Sequence, residues 1–319
     1  MFQLAALAAL SAPPAGWTTC GGLSDALANV ACPSTATCVR QKWSPSLGNW
    51  GCVDGVGAVS CGDYTACPAG TKCVNSGSGW QVVSSCVSTS DPSAPAVPGV
   101  QVCKQGAPLP MAAGKKNVLI LGDSVSIGYT PFVNAALADV ALVQHSPWGG
   151  DGGAEESAYG EQCLDYLLRA PDGTPLAVDL VYYNFGLHNT PVCGNGRIPG
   201  QSANASSYAG PLDRLTIKMV GGRAGGRGLM FGLTTPVLNN NATDALVLEL
   251  NAEAQTIMYG FGVPTLDMHA PIIAKCGPVP QASCFGEKGC WSPHCVGAGY
   301  EWLANSTIAP AIRTFLFPK

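Results

Sequence analysis

Two residues of this chain have the type and surroundings for nucleophilic chemistry, a serine before its midpoint and a histidine near its end. Ser124 follows an apolar run, Val118 to Leu121, in the turn Gly122, Asp123, Ser124, and a helix-compatible segment, Ile127 to Val140, comes next. A strand ending in such a turn presents its serine over the carboxyl edge of a sheet, where open α/β folds place their sites. The competing reading is that Ser124 only caps the following helix. His294 lies in the stretch Trp291 to Tyr300, WSPHCVGAGY, ahead of an amphipathic segment. A serine hydroxyl must lose its proton to a base as it attacks, and histidine is the side chain most often used for that step.

Between these two residues lie two glycine-bearing segments, WGGDGGA from Trp148 to Ala154 and the run Gly186, Leu187, His188, Asn189. Together the four blocks resemble the SGNH, or GDSL-type, hydrolases over residues 115–319. The resemblance implies Ser124 as nucleophile and His294 as base. It also implies an oxyanion hole built from the N–H groups of Ser124 and of Gly153 or Gly152. The family's third donor is an asparagine amide in the third block. Here His188 stands in that place, and Asn189 or Asn184 could serve instead. The family carries an acid three residues before its histidine, where this chain has Trp291; the nearest carboxylate upstream is Glu287. His145 and His269 fall at strand–helix transitions outside these blocks and read as structural residues, and Asp267 reads as a residue that positions loops.

The elements that must hold these residues alternate regularly. Strands are expected at Val118–Leu121, Ala141–His145, Val178–Phe185, Gly228–Thr235 and Val263–Leu266. Helices are expected at Pro131–Val140, Ala154–Ala170, Tyr208–Val220, Thr243–Tyr259 and Gly297–Phe315. Such alternation predicts an α/β fold with a parallel sheet covered on both faces. Right-handed crossovers bring every strand's carboxyl end to one rim. The resemblance specifies this as a flavodoxin-like three-layer sandwich.

Residues 1–16 are apolar, too short to span a bilayer, and read as a secretory signal peptide. Three N-glycosylation sequons, at Asn204, Asn241 and Asn305, and fifteen cysteines fit an extracellular protein. No two cysteines have the C-x-x-C spacing of zinc sites, so disulfides are expected and no metal or cofactor is. Because fifteen is odd, at least one thiol is free or bonded to another chain. Eight cysteines fall between Cys20 and Cys86, and six of them make two passes of one pattern: Cys32, Cys38 and Cys52, then Cys67, Cys73 and Cys86. The stretch Trp50 to Cys73 resembles a granulin module, which implies hairpins stapled by disulfides, here with single cysteines where granulins have vicinal pairs. The expected organisation is a cysteine-rich module over 17–87, a Pro/Ser-rich spacer over 88–114 with Cys103 inside it, and the hydrolase-like domain over 115–319.

Charged residues make up 11% of the chain and the net charge of −4 is spread without blocks. Neither a nucleic-acid surface nor a polybasic membrane stretch is present, and no segment is long and apolar enough to span a membrane. The expected function is that of a secreted serine esterase acting on acyl esters, with carbohydrate O-acetyl groups as the favoured substrates. The tryptophans of the small module either contact sugar rings or pad a small core. The alternative is a catalytically impaired protein of the same fold that binds glycans or esters.

Overall fold

A small cysteine-rich stretch cannot build a large apolar core, so its hairpins must be held together covalently. The structure, a computed structural model, describes residues 15–22, 29–40, 50–61, 65–76, 83–98, 100–107, 111–148, 153–191, 205–222, 227–288 and 290–318. The chain divides into two units. The first is Met1–Pro108 with Trp148–Gly150 and Asp165–Leu176; the second is Leu109–Pro147, Asp151–Leu164 and Ala177–Lys319.

The first unit is a set of antiparallel hairpins. Strand β1 (Trp17–Gly22) pairs with β2 (Asn29–Pro33), β3 (Ala36–Arg40) with β4 (Trp50–Asp54), β5 (Val59–Cys61) with β6 (Thr65–Cys67), and β7 (Thr71–Ser76) with β8 (Val83–Ser88). The stretch expected as a spacer adds β9 (Val97–Pro98) beside β8 and β10 (Val100–Gln101) beside β6. Cys103 and Cys52 also exchange main-chain hydrogen bonds of 3.1 and 2.9 Å. The internal repeat reappears in the covalent structure: Cys32–Cys52 and Cys67–Cys86 join equivalent positions of the two passes, at separations of 20 and 19 residues. Cys61–Cys73 ties the second pass further, and Cys38 and Cys103 are also disulfide-bonded. Cys61, Cys67 and Cys73 lie close together but are all oxidised, so they offer no thiolate. Trp17 packs edge-on to Tyr166 at 6.1 Å and under the Arg169 guanidinium at 5.1 Å, as a core residue would. Trp43 and Trp80 lie outside the described residues.

The second unit is built on a five-stranded parallel sheet. After β11 (Lys116–Leu121) come α1 (Ser124–Ala136), β12 (Ala141–Ser146), α2 (Ser157–Leu167), β13 (Leu180–Tyr183), α3 (Ala205–Gly221), β14 (Gly228–Gly232), α4 (Asn241–Gly260) and β15 (Thr265–Leu266). The spatial order is β12-β11-β13-β14-β15, the 2-1-3-4-5 order of flavodoxin-like folds. Strands covered on both faces are mostly apolar, which is why the runs of β11, β13 and β14 do not alternate. Leu119, Ile120 and Leu121 are fully buried, each contributing about 1.5–3 kcal/mol of transfer free energy. Val118, Ile120, Val143, Leu180, Tyr182 and Met230 belong to a core shared with α1 and with the C-terminal helices α6 (Gly297–Leu303) and α7 (Ala309–Leu316). On the opposite face Tyr183 meets Phe231 edge-on, and its hydroxyl reaches Thr216 of α3 and Met258 of α4.

The expected pattern is altered in two places among the helices after β15. A short helix, α5 (His269–Cys276), follows β15, with Asp267 Oδ1 accepting the N–H groups of His269 and Ala270. The single C-terminal helix is instead two, joined by a π-type turn over Ala304–Ile308. Helices α1 and α6 approach closely because Gly128 has no side chain: a methyl there would overlap the Tyr300 ring. Gly128→Ala should therefore force the helices apart and cost ~1–3 kcal/mol, against the usual gain of Ala over Gly in a helix. Urea unfolding of the full chain measures this; an unchanged or raised midpoint would contradict the packing.

Candidate active site

The turn bearing Ser124 follows directly from β11. A side chain at Gly122 would meet Ser126 Oγ at 2.6 Å and the Asn184 carbonyl at 3.2 Å, so the glycine permits the strand end to close against both. Asp123, in extended conformation, caps α1: its Oδ1 accepts the Val125 N–H at 3.0 Å. The capping role considered for Ser124 thus belongs to its neighbour. Ser124 opens the helix, and its Oγ lies 2.7 Å from His294 Nε2. Two residues separated by 170 positions meet in the geometry of a nucleophile and its base.

The glycine-rich segment closes over the same turn. Gly153 has φ +63, and a Cβ on it would overlap the Gly122 carbonyl and stand 2.8 Å from Asp123 Cα. The next N–H, of Ala154, donates to Gly122 O at 2.7 Å. Only glycine allows so close a main-chain approach with a left-handed φ. Gly152 lies outside the described residues.

The third block gathers three candidate donors at the end of β13 with different commitments. Asn184 Nδ2 donates to Gly232 O at 2.7 Å and Thr234 Oγ1 at 3.3 Å, which takes up both amide hydrogens in holding β13 to β14. Asn189 accepts the Ser157 N–H through Oδ1 at 3.3 Å, at the start of α2, so its amide nitrogen is not used in that bond. His188 is buried.

The loop bearing His294 is fixed by its main chain. Trp291 stands three residues before His294, and its ring is fully buried edge-on to Tyr300 at 5.5 Å. The Trp291 N–H donates to His294 O at 2.6 Å, and Leu238 N–H donates to Trp291 O at 2.9 Å. The neighbouring Val237 N–H is held at 2.9 Å by Asp244, whose carboxylate also meets His269 Nε2 at 3.0 Å. His269, expected as structural, thus anchors the segment that pins the loop bearing His294. Cys290–Cys295 closes the loop covalently, and Cys276–Cys284 staples the segment before it. Among the described residues no carboxylate reaches the His294 ring; the Glu287 side chain lies outside them. His294 is exposed as a residue, yet partial enclosure of its ring holds its pKa below the ordinary imidazole value.

The fold and this pair define a class: a flavodoxin-like α/β protein with a serine–histidine dyad at the carboxyl edge of its sheet. Among solved structures, an acetyl xylan esterase, AlAXEase, is similar at 12% identity and TM-score 0.47, over 61% of this chain and 99% of its own. A lipase/acylhydrolase from Enterococcus faecalis is similar at 14% identity and TM-score 0.46, over 64% and 98%. The acetylxylan esterase Axe2 from Geobacillus stearothermophilus gives 13% identity and TM-score 0.46, over 66% and 97%. No protein-family model and no curated protein matches the chain.

Asp123 supplies a test of the turn. Burial raises its carboxyl to about 6, against the cap hydrogen bonds that lower it. Between about pH 4 and pH 6 the folded state therefore holds a proton that the unfolded chain has released. Stability falls as pH rises through that window, by about 3 kcal/mol in all. Asp123→Asn keeps the capping oxygen and removes the charge. Relative to the parent it should gain stability across the window and keep the gain above pH 6. Urea midpoints at pH 4, 5, 6 and 7 check this, and a difference independent of pH would contradict it.

Proposed function

We propose that the chain is a secreted serine esterase of the SGNH type, cleaving acyl esters, foremost O-acetyl groups on carbohydrates, through an acyl-Ser124 intermediate. The observation that carries the reading is the 2.7 Å contact between Ser124 Oγ and His294 Nε2 at the sheet's carboxyl edge. His294 Nε2 takes the hydroxyl proton as Ser124 attacks the ester carbonyl. The tetrahedral oxyanion is met by the Ser124 N–H at the positive end of α1, by the Gly153 N–H, and by the amide of Asn189 as third donor. The imidazolium then protonates the departing alcohol, and water repeats the cycle on the acyl-serine.

The unusual part is the base. A carboxylate beside a catalytic histidine sets its tautomer and stabilises its cation. Here the loop's main-chain bonds and its disulfide hold the ring in place, and nothing in the described residues offsets the cation. Introducing the family's acid by Trp291→Asp would bury a charge in a fully enclosed site and delete a core ring, so that substitution cannot isolate the acid's contribution. The first unit, read as granulin-like, would accompany the catalytic unit as a disulfide-stapled module, and residues 1–16 would direct export.

Ser124→Ala should abolish hydrolysis of a short aryl acetate, and labelling by an organophosphonate should map to Ser124. The stability change should stay below ~0.5 kcal/mol. Activity should rise with pH through an apparent pKa below ~6.5, because enclosure without a counter-charge disfavours the imidazolium. Turnover retained in the alanine variant would place the nucleophile elsewhere. A parent protein that neither turns over nor labels, yet binds acetylated glycan, would favour the binding-protein reading, which the acid-less histidine also supports.

A further inference from the structure

Beneath the nucleophile is a second serine–histidine pair that the reaction above does not use. Ser126, buried two residues after Ser124, has its Oγ 2.6 Å from His145 Nε2 and 2.6 Å from the main-chain oxygen of Asp123. The other ring nitrogen, His145 Nδ1, lies 3.0 Å from Pro147 O. A carbonyl closes this chain at each end, and a carbonyl can only accept. Its three hydrogen bonds therefore need three protons from the two side chains. A serine with a neutral imidazole holds two; a serine with an imidazolium holds three. With the neutral ring, either tautomer leaves one of these short contacts with lone pairs face to face.

The end of the chain is the peptide between Asp123 and Ser124. Its carbonyl also accepts the Ile127 N–H at 3.1 Å, and its other side carries the Ser124 N–H. Because a peptide is planar, fixing the carbonyl fixes the direction of that N–H, the donor an oxyanion would meet first. Donation to the carbonyl also polarises the peptide and strengthens its N–H as a donor.

Resting on Ser124 as nucleophile, we propose that Ser126 and His145 are positioning residues: His145, as an imidazolium, donates through Ser126 to the Asp123 carbonyl and so aims the Ser124 N–H at the oxyanion. The pair sits where β11 and β12 run side by side, with Ile120 opposite His145. The titratable groups on the flanking elements are Lys116 at the far end of β11, the Asp123 carboxyl, the Tyr129 phenol on α1, and the buried Glu155 and Glu156 in the segment after β12. Asp151, in that loop, lies outside the described residues. The working form is the protonated one, so this contribution is present at low pH and is lost as pH rises through the His145 titration. It produces a falling alkaline limb, opposite in sign to the rising limb of His294.

Ring-nitrogen NMR of the full chain with ¹⁵N-labelled histidine tests the charge state without needing turnover. At pH 7 both His145 nitrogens should be protonated, with a midpoint above the ~6.5 reference, and Ser126→Ala should lower that midpoint. In kinetics on an aryl acetate, His145→Ala should lower kcat about 10- to 100-fold with KM within about twofold, since a misaimed oxyanion donor costs at most the ~10²–10³ of a deleted one. His145→Gln restores one N–H that does not titrate. It should recover part of kcat and remove the alkaline limb while leaving the acid limb. A neutral His145 at pH 7, or a His145→Gln enzyme with an unchanged alkaline limb, would overturn the proposal. Should the parent lack esterase activity, the function proposed above fails on Ser124, and the NMR result still decides the protonation of His145.

Discussion

A carboxyl group with almost no contact with water closes the first turn of α1, and the whole site is built around that cap. Asp123 holds the Val125 N–H, which sets the angle at which the chain leaves β11 and enters the helix. The Asn184 N–H binds Leu121 O at 2.9 Å and the Ala154 N–H binds Gly122 O at 2.7 Å, so the turn is gripped from both neighbouring segments. Burial works against the ionised form, and the cap bonds with the positive end of the helix offset part of that cost. A longer acid could not reach back to the helix N–H groups, and a serine in its place would give a weaker acceptor.

His294 is held in a different manner from Ser124. No acid stands before it; an indole packed in the core does, and the ring's position is inherited from the backbone at Trp291, Leu238 and Val237. The hydrogen-bonded pair Asp244–His269 lies two steps behind this, buried. Leaving one partner of a buried hydrogen-bonded pair unsatisfied is costly, which suits such a pair to fixing a register. Packing and main-chain bonds thus set the position of the His294 ring, and among the described residues no carboxylate reaches it.

Much of the second unit was legible from local pattern. Strands of a covered parallel sheet are continuous apolar runs, and the turn residues between them are glycines and polar caps, so β11, β12, β13 and β14 were located within a few residues. What was hidden had no local period. Helix α5 is short, starts beside a caps-only signal at Asp267 and contains Pro271, so it reads as loop. The π-type turn at Ala304 does not change the apolar spacing enough to be read. In the first unit the repeated cysteine spacing was visible, but the equivalence of Cys32–Cys52 and Cys67–Cys86 became definite only with their pairing.

By itself the sequence determined the residue types available for chemistry, the alternation that makes a parallel sheet, and the turn that lifts Ser124 over its edge. Tertiary structure decided which of the four histidines meets it. His294, distant in the chain, comes within 2.7 Å of Ser124, while His145, much nearer in sequence, faces Ser126, and His269 turns to Asp244. The physical reason is that strand order and register, not sequence separation, set which loops share the rim. A hydrogen bond between side chains depends on tenths of an ångström that only the packed sheet and helices supply.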